Sequence, residues 1–315
     1  MHDKYKILIG IICVILFVVG TCYYVDASRA ENTISIGVLH TDHDAPVEIA
    51  KAQGLYEAQG LKVDIRQFNN GGDLLTAMAG GDIDIGYLGF TPVLATYAKG
   101  APVKIISGVQ NGGSALVVRS NENINSVQDL KGKTVATIGE TSIQYILLTK
   151  LLKENGMSIN DVQHVAMKSS TMTGALGANQ LDAMFVPEPY ASVAVAGGVG
   201  KVLVSSEEIM PNHPCCVIAT YDGFIKKHPK ELKKILAIHN QSAEFINKNP
   251  GKAVKILPRD MVIDENVQKN TLSELNFISG LSPEYKQSII DFANLEVQLG
   301  FLNKTVDSSE LFYDI

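Results

Sequence analysis

The sequence predicts an α/β protein of two helix-covered mixed sheets, and three observations carry that expectation. From residue 34 onward, short apolar or alternating runs take turns with segments of helical period. The composition turns polar at 120–126, and a second unit of the same style begins after it. In the stretch Gly80-Gly-Asp-Ile-Asp-Ile-Gly-Tyr-Leu-Gly-Phe-Thr-Pro92, a very short strand, expected over 83–86, lies between glycines that end one helix and a proline that opens the next. With 315 residues, 46% of them apolar and 19% charged, the chain is long enough for two cores.

The first thirty residues differ from the rest. Lys4 and Lys6 precede an uncharged run over 7–25 rich in Ile, Val, Leu and Phe, which reads as an export leader. Its length falls between a secretory core of about 7–15 residues and a membrane span of about 20, so three endings stand open. These are cleavage after Ala30 with Ser28 at the small −3 position, lipid attachment at Cys22 despite an atypical Thr21 before it, and retention as an anchor. Each places the body outside the cytoplasm. The formal charge of −6 excludes a protein that works by neutralising phosphates, and no basic stripe reverses it locally, so nucleic acid is not an expected partner.

In the body, 34–39 reads as a strand, and 40–46 as a polar loop whose Pro46 suits a first helical turn. A helix to Gln53, punctuation at Gly54 and Gly60, and a strand over 61–67 follow. The turn at 69–73 opens a helix over 74–79; beyond Pro92 come a helix to Ala98 and a strand over 103–107. Ser114–Arg119 reads as a strand that crosses into the second unit. There the expected order is a strand over 134–138, a loop at 139–142, and a helix with Ile143, Ile146, Leu147 and Leu151 on one face, closed by Asn155-Gly156. A strand over 162–166, a helix over 170–178, a strand over 181–186 and a helix after Pro189 complete the unit. Residues 216–220 read as the returning strand, and the remainder as helices whose lysine-rich runs face solvent. The expected division is 1–30 as leader, 31–117 with 221–315 as one lobe, and 118–220 as the other. Cys13 and Cys22 fall in the leader, and neighbouring Cys215 and Cys216 on a strand are expected to point to opposite faces as two buried thiols.

Gly81-Asp-Ile-Asp-Ile-Gly86 with Pro92 and Tyr97-Ala-Lys-Gly100 resembles the periplasmic substrate-binding proteins of nitrate, sulfonate and taurine ABC transporters, a family that includes binders of thiamine-pyrimidine precursors. The likeness continues in order through Val127-Gln-Asp-Leu-Lys-Gly-Lys-Thr-Val135, Gly139 with Thr141-Ser142, and Leu181-Asp-Ala-Met-Phe-Val-Pro-Glu-Pro-Tyr190, covering about 34–246. The resemblance implies the two-lobed type II periplasmic-binding-protein fold, with two strand-like crossings and a ligand held between the lobes. It also implies a monomeric, non-enzymatic receptor with no cofactor, whose partners are a small solute and a membrane permease. Two other readings remain: an enzyme like the thiamine-pyrimidine synthases that share this fold, and an anchored sensor domain.

Loops that follow strands and open helices should face the cleft, where backbone N–H groups point at a ligand. The candidates are His40, Asp42 and His43 in the acid- and histidine-rich run, Gly71 and Gly72 at a helix start, and Leu88 and Gly89 as backbone donors with Tyr87 and Phe90 as aromatic walls. From the other lobe come Thr141, Ser142, Gln144, Glu188 and Tyr190, with His213 before the returning strand. The spacing of His40 and His43 meets no strong metal rule, so no metal site is expected; hydrogen bonding to ligand and capping of the next helix remain open for this run. Ser142 and Thr141 are equally suited to cap a helix or to donate to a ligand. None of these loops contains lysine or arginine, which disfavours a simple inorganic anion and favours zwitterionic or heteroaromatic solutes.

Overall fold

The computed structural model describes residues 33–314, so the leader, with Cys13 and Cys22, lies outside the described residues. The first sheet is built from β1 (Thr33–Val38), β2 (Lys62–Gln67), β3 (Ile85–Gly89) and β4 (Val103–Asn111), linked by α1 (Ala45–Ala52), α2 (Leu55–Ala58), α3 (Gly71–Gly80) and α4 (Phe90–Ala98). The chain then enters the second sheet as β5 (Ser114–Arg119). It continues through β6 (Thr134–Thr137), α5 (Ile143–Glu154), β7 (Gln163–Ala166), α6 (Ser169–Gly177), β8 (Ala183–Pro187), α7 (Tyr190–Ala196), β9 (Gly200–Ser205) and α8 (Ser206–Ile209). β10 (Pro214–Tyr221) returns to the first sheet, and α9 (Asp222–Lys227), α10 (Pro229–Lys248), α11 (Pro250–Ile256), α12 (Glu265–Glu274) and α13 (Pro283–Leu299) follow.

The two sheets share one plan. Their strand orders are β2-β1-β3-β10-β4 and β7-β6-β8-β5-β9. In each, three parallel strands adjoin an antiparallel fourth, β10 or β5, and that strand pairs antiparallel with the fifth. The mixed, helix-covered sheets agree with the expectation from sequence. Ser114–Arg119 and the 216–220 run are strands as expected, but both are full members of a sheet. The chain changes sheets just before each of them, at Gly112–Gly113 and between Ser205 and Pro214. The two passages lie side by side, since the Gly112 N–H donates to the His213 carbonyl at 3.0 Å.

The short strand of the glycine-rich stretch begins two residues later than expected. Asp84 stays in the turn, where its carboxylate accepts from the Ser35 N–H at 2.8 Å and the Ser35 hydroxyl at 2.7 Å, tying the entry of β3 to β1. Gly81 ends α3 in the left-handed region, φ 83°, as the glycine pair predicted. β9 and α8 have no counterpart in the sequence reading. Yet Ser205 and Glu208 form a reciprocal capping box at the start of α8, a pattern readable as Ser-x-x-Glu.

Gly86 shows why this stretch tolerates no larger residue. A Cβ there would stand 2.6 Å from Leu74 Cδ2 and 2.8 Å from Met78 Sδ, so α3 rests directly on the β3 backbone. Both neighbours are buried core side chains without room to withdraw. Gly86→Ala is therefore expected to cost about 1–3 kcal/mol through overpacking, read as a lower urea midpoint at an unchanged slope.

Candidate functional site

A cavity of about 210 Å³ lies between the two sheets, at the carboxyl ends of β1, β3, β6, β7 and β8 and the entering end of β10. Three helices aim their amino termini at it. Asn70 and Gly71 open α3, with Asn70 Oδ1 accepting from the Asp73 N–H at 2.9 Å. Gly89 caps α4, and Pro92 in its first turn also lines the wall. Ser142 caps α5, accepting from the Tyr145 N–H at 3.2 Å, with Ile143 and Gln144 following it. Free N–H groups and helix dipoles favour negative or hydrogen-bond-accepting ligand atoms at such a convergence.

The remaining wall is largely apolar, Leu39, Ile138, Ala166 and Pro187 with both cysteines, and the exposed Glu140 adds a carboxylate to it. No lysine or arginine is among the lining residues, as the loops predicted. The group that can carry positive charge is the buried imidazole of His43. Its Nδ1 meets the Thr41 hydroxyl and its Nε2 lies 3.1 Å from Asp44 Oδ1. Burial alone works against a charged ring, but the Asp44 carboxylate, reinforced by smaller favourable contacts, outweighs it and lifts the pKa above the usual histidine value.

The lobes meet directly around this cavity. The Tyr190 hydroxyl donates to the His40 carbonyl at 2.8 Å, the Asp42 N–H to the Glu188 carbonyl at 3.1 Å, and the Thr91 hydroxyl to the Thr141 carbonyl at 2.6 Å. On the far side the Tyr145 ring stands edge-on to Phe301, with centroids 5.7 Å apart.

Of the residues singled out by sequence, His43, Gly71, Gly89, Thr141, Ser142 and Gln144 come together at the cavity. The others stand away from it. His40 faces Gln67 and the Asp260 carbonyl, at 2.8 and 3.2 Å. Asp42 is buried against Gln268. Gly72 sits one position into α3, turned off the lining. Leu88 stands opposite Val217 in the β3–β10 ladder with its side chain in the core. Tyr87 is equally buried, its ring edge-on to His239 at 5.6 Å. Phe90, read as a second aromatic wall, packs at 4.9 Å on Phe292 instead. Glu188, two residues before α7, turns back onto it and accepts from the Ser192 N–H and hydroxyl at 3.1 and 3.0 Å. Tyr190 is spent on the contact between lobes, and His213 is buried with Nδ1 2.9 Å from the Pro214 carbonyl.

Cys215 and Cys216 reach the cavity through an irregularity. The β10 register with β4 slips at Cys216, from Pro214 opposite Asn111 to Cys216 opposite Gln110, leaving Cys215 as an extra residue. The bulge defeats the alternation expected of neighbouring strand residues and brings the two sulfurs within 3.4 Å.

Two carboxylates beside the lobe contact are held far from their usual range. Burial raises Asp42 to about 6, against hydrogen bonds that oppose it, and burial with the nearby Asp42 charge raises Glu188 to about 7, against its Ser192 bonds. A carboxyl whose folded pKa is raised stabilises the fold below its unfolded value, and that contribution is lost as pH rises through the folded value. The melting temperature is therefore expected to fall between about pH 5 and pH 8, and Glu188→Gln to flatten that slope in a calorimetric pH series.

The NMT1-like family model matches residues 28–257. An aliphatic sulfonates-binding protein of Bacillus subtilis is 27% identical over 258 residues, covering 79% of this chain and 77% of the relative. The 4-amino-5-hydroxymethyl-2-methylpyrimidine phosphate synthase of Schizosaccharomyces pombe is 26% identical over 232 residues, 68% of this chain and 65% of that protein. Among solved structures, the alkanesulfonate-binding protein SsuA of Xanthomonas axonopodis pv. citri, bound to MOPS, superposes with a TM-score of 0.80 at 22% identity, over 90% of this chain and 99% of that one. With the family model matching most of its length, and the paired sheets enclosing a cavity at their carboxyl ends, this chain belongs to the NMT1-like family.

Proposed function

We propose that the protein is an extracytoplasmic solute receptor of an ABC importer. It captures a small organic solute, of sulfonate, taurine, nitrate-like or pyrimidine-precursor type, and hands it to a membrane permease. The observation that carries this reading is a cavity enclosed by two lobes that hydrogen-bond to each other across it, with three helix amino termini converging on it. Neighbouring passages at Gly112–Gly113 and before Pro214 supply a pair of segments about which such lobes would open. On this reading one lobe comprises 33–112 with 214–314 and the other 113–213, and the receptor works as a monomer.

The ligand-binding roles fall to His43, Gly71, Gly89, Thr141, Ser142 and Gln144, with Asn70 added by the geometry. Catalysis is not part of the reading, despite the synthase relative, because several polar groups at the cavity are committed to positioning backbone. The Ser142 hydroxyl donates to the Gly139 carbonyl at 2.6 Å while capping α5, and Asn70 caps α3.

A melting screen of purified protein against alkanesulfonates, taurine, nitrate and aminopyrimidines tests the proposal. A true ligand at 100 times its dissociation constant adds about 2.7 kcal/mol, and stabilisation by none of these classes would overturn the assignment. His43 sets the pH behaviour. Its pKa is lifted above the usual histidine value, so the ring holds its charge to higher pH than a free imidazole, and the attraction for an anion is lost as pH rises through the raised value. Affinity for an anionic solute is expected to fall as pH rises through the raised His43 value while that for a neutral aminopyrimidine holds, and titration calorimetry on wild type and His43→Gln separates the two.

A further inference from the structure

We propose that Cys215 and Cys216 form a redox modification site in the cavity wall, a vicinal dithiol that closes to a disulfide and so alters the solute the cavity holds. The effect on solute binding rests on the receptor reading above; the chemistry of the pair does not. The two sulfurs stand 3.4 Å apart, against about 2.05 Å in a disulfide, and because the residues are adjacent, with Cα atoms about 3.8 Å apart across a trans peptide, closure to the eight-membered ring also asks the peptide between them to twist. The bulge provides for that movement. Cys216 is registered opposite Gly89 and Gln110 and its carbonyl accepts from the Tyr285 hydroxyl at 3.0 Å, whereas Cys215 is the residue left out of register.

Access has one direction. Both residues are nearly inaccessible from outside, at 1% and 4% exposure, yet both line the cavity, so a reagent meets them from the solute side, and a donor larger than the cavity of about 210 Å³ meets them when the lobes part. The pair is also chemically polarised. Its contact with Cys216, helped by the His43 imidazole, draws the Cys215 thiol below its usual pKa, while burial and the Cys215 charge push Cys216 well up. Cys215, out of register and with its thiol drawn down, is the sulfur suited to attack, and Cys216 the resolving thiol.

The oxidant is a disulfide donor, such as glutathione disulfide or a protein disulfide of the oxidising space outside the cytoplasm. The Cys215 thiolate attacks one donor sulfur, the donor S–S bond breaks, and a mixed disulfide forms with release of one donor thiol. Cys216 Sγ then attacks Cys215 Sγ and releases the second. The two cysteine protons end on the two donor thiols, the cysteine sulfurs are oxidised by two electrons, and the donor is reduced by the same two.

The test uses the full chain, incubated with glutathione disulfide or with dithiothreitol, then alkylated and analysed by mass spectrometry. The expected oxidised peptide carrying residues 215–216 is lighter by two hydrogen atoms and takes no alkyl group. Two alkylated thiols, or a mixed disulfide that never resolves, would overturn the proposal. The oxidised form should also need about tenfold more of a stabilising alkanesulfonate or aminopyrimidine for half its melting shift, a difference that Cys215→Ser and Cys216→Ser each abolish. An equal response of both redox forms to a solute that stabilises them overturns the coupling to binding. If no solute stabilises either form, the receptor assignment fails and the peptide mass still decides the dithiol.

Discussion

Contact between the two lobes is the constraint on which the cleft depends. The Tyr190 hydroxyl, the Asp42 N–H and the Thr91 hydroxyl each bond to a backbone carbonyl across the gap, and none of these bonds needs a ligand atom to complete it. With the lobes apart, those donors and carbonyls would turn to water, and the apolar wall of Leu39, Ile138, Ile143 and Pro187 would be wetted. The cavity is therefore defined by closure, its shape a property of the pair of lobes and of neither alone. Gly89 illustrates this: a Cβ there would stand 3.2 Å from Ile143 Cδ1 of the opposite lobe, so the bare backbone at that point lets the Ile143 side chain close against it.

The run from His40 to Asp44 concentrates several functions in five residues. Asp44 accepts from the Leu39 and Thr41 N–H groups at 3.0 and 3.1 Å and so fixes the turn into α1. The same carboxylate group favours the protonated ring of His43, which alone of the run's ionisable side chains reaches the cavity. Asp42 turns the other way, into the contact with Gln268 of α12, and His40 serves through its carbonyl. Capping and ligand-facing chemistry, alternatives when the sequence is read, are divided among neighbouring residues here.

Much of the fold was legible because local rules and global packing agree. Ser142 reads as suited to cap a helix and is a cap; Gly81 reads as a helix end and has a left-handed backbone; alternation marked 61–67 as a strand, observed as Lys62–Gln67, and Ser114–Arg119 is the crossing strand expected. What sequence could not convey was which sheet a strand joins, since β5 and β10 carry no local mark of their partners. The site was legible where a residue's role follows from its helix start. It was not legible where tertiary packing decides the facing of a side chain. Tyr87 and Phe90 look like pocket walls beside two glycines, yet His239 and Phe292 claim them for the core. The cysteines failed for the opposite reason, because a bulge, invisible in the residue pattern, turned a strand pair expected to diverge into neighbours.

β10 lies between β3 and β4, so the first sheet has an interior place that only a distant part of the chain can fill. Until residue 221 has arrived, β3 and β4 present facing rows of unpaired N–H and C=O groups, the type of edge that invites pairing with another chain. The second sheet has no such dependence, since β5 to β9 are contiguous in sequence. The order of completion is thereby asymmetric: the second lobe is a self-sufficient folding unit in its topology, and the first waits for the chain to leave the second and come back.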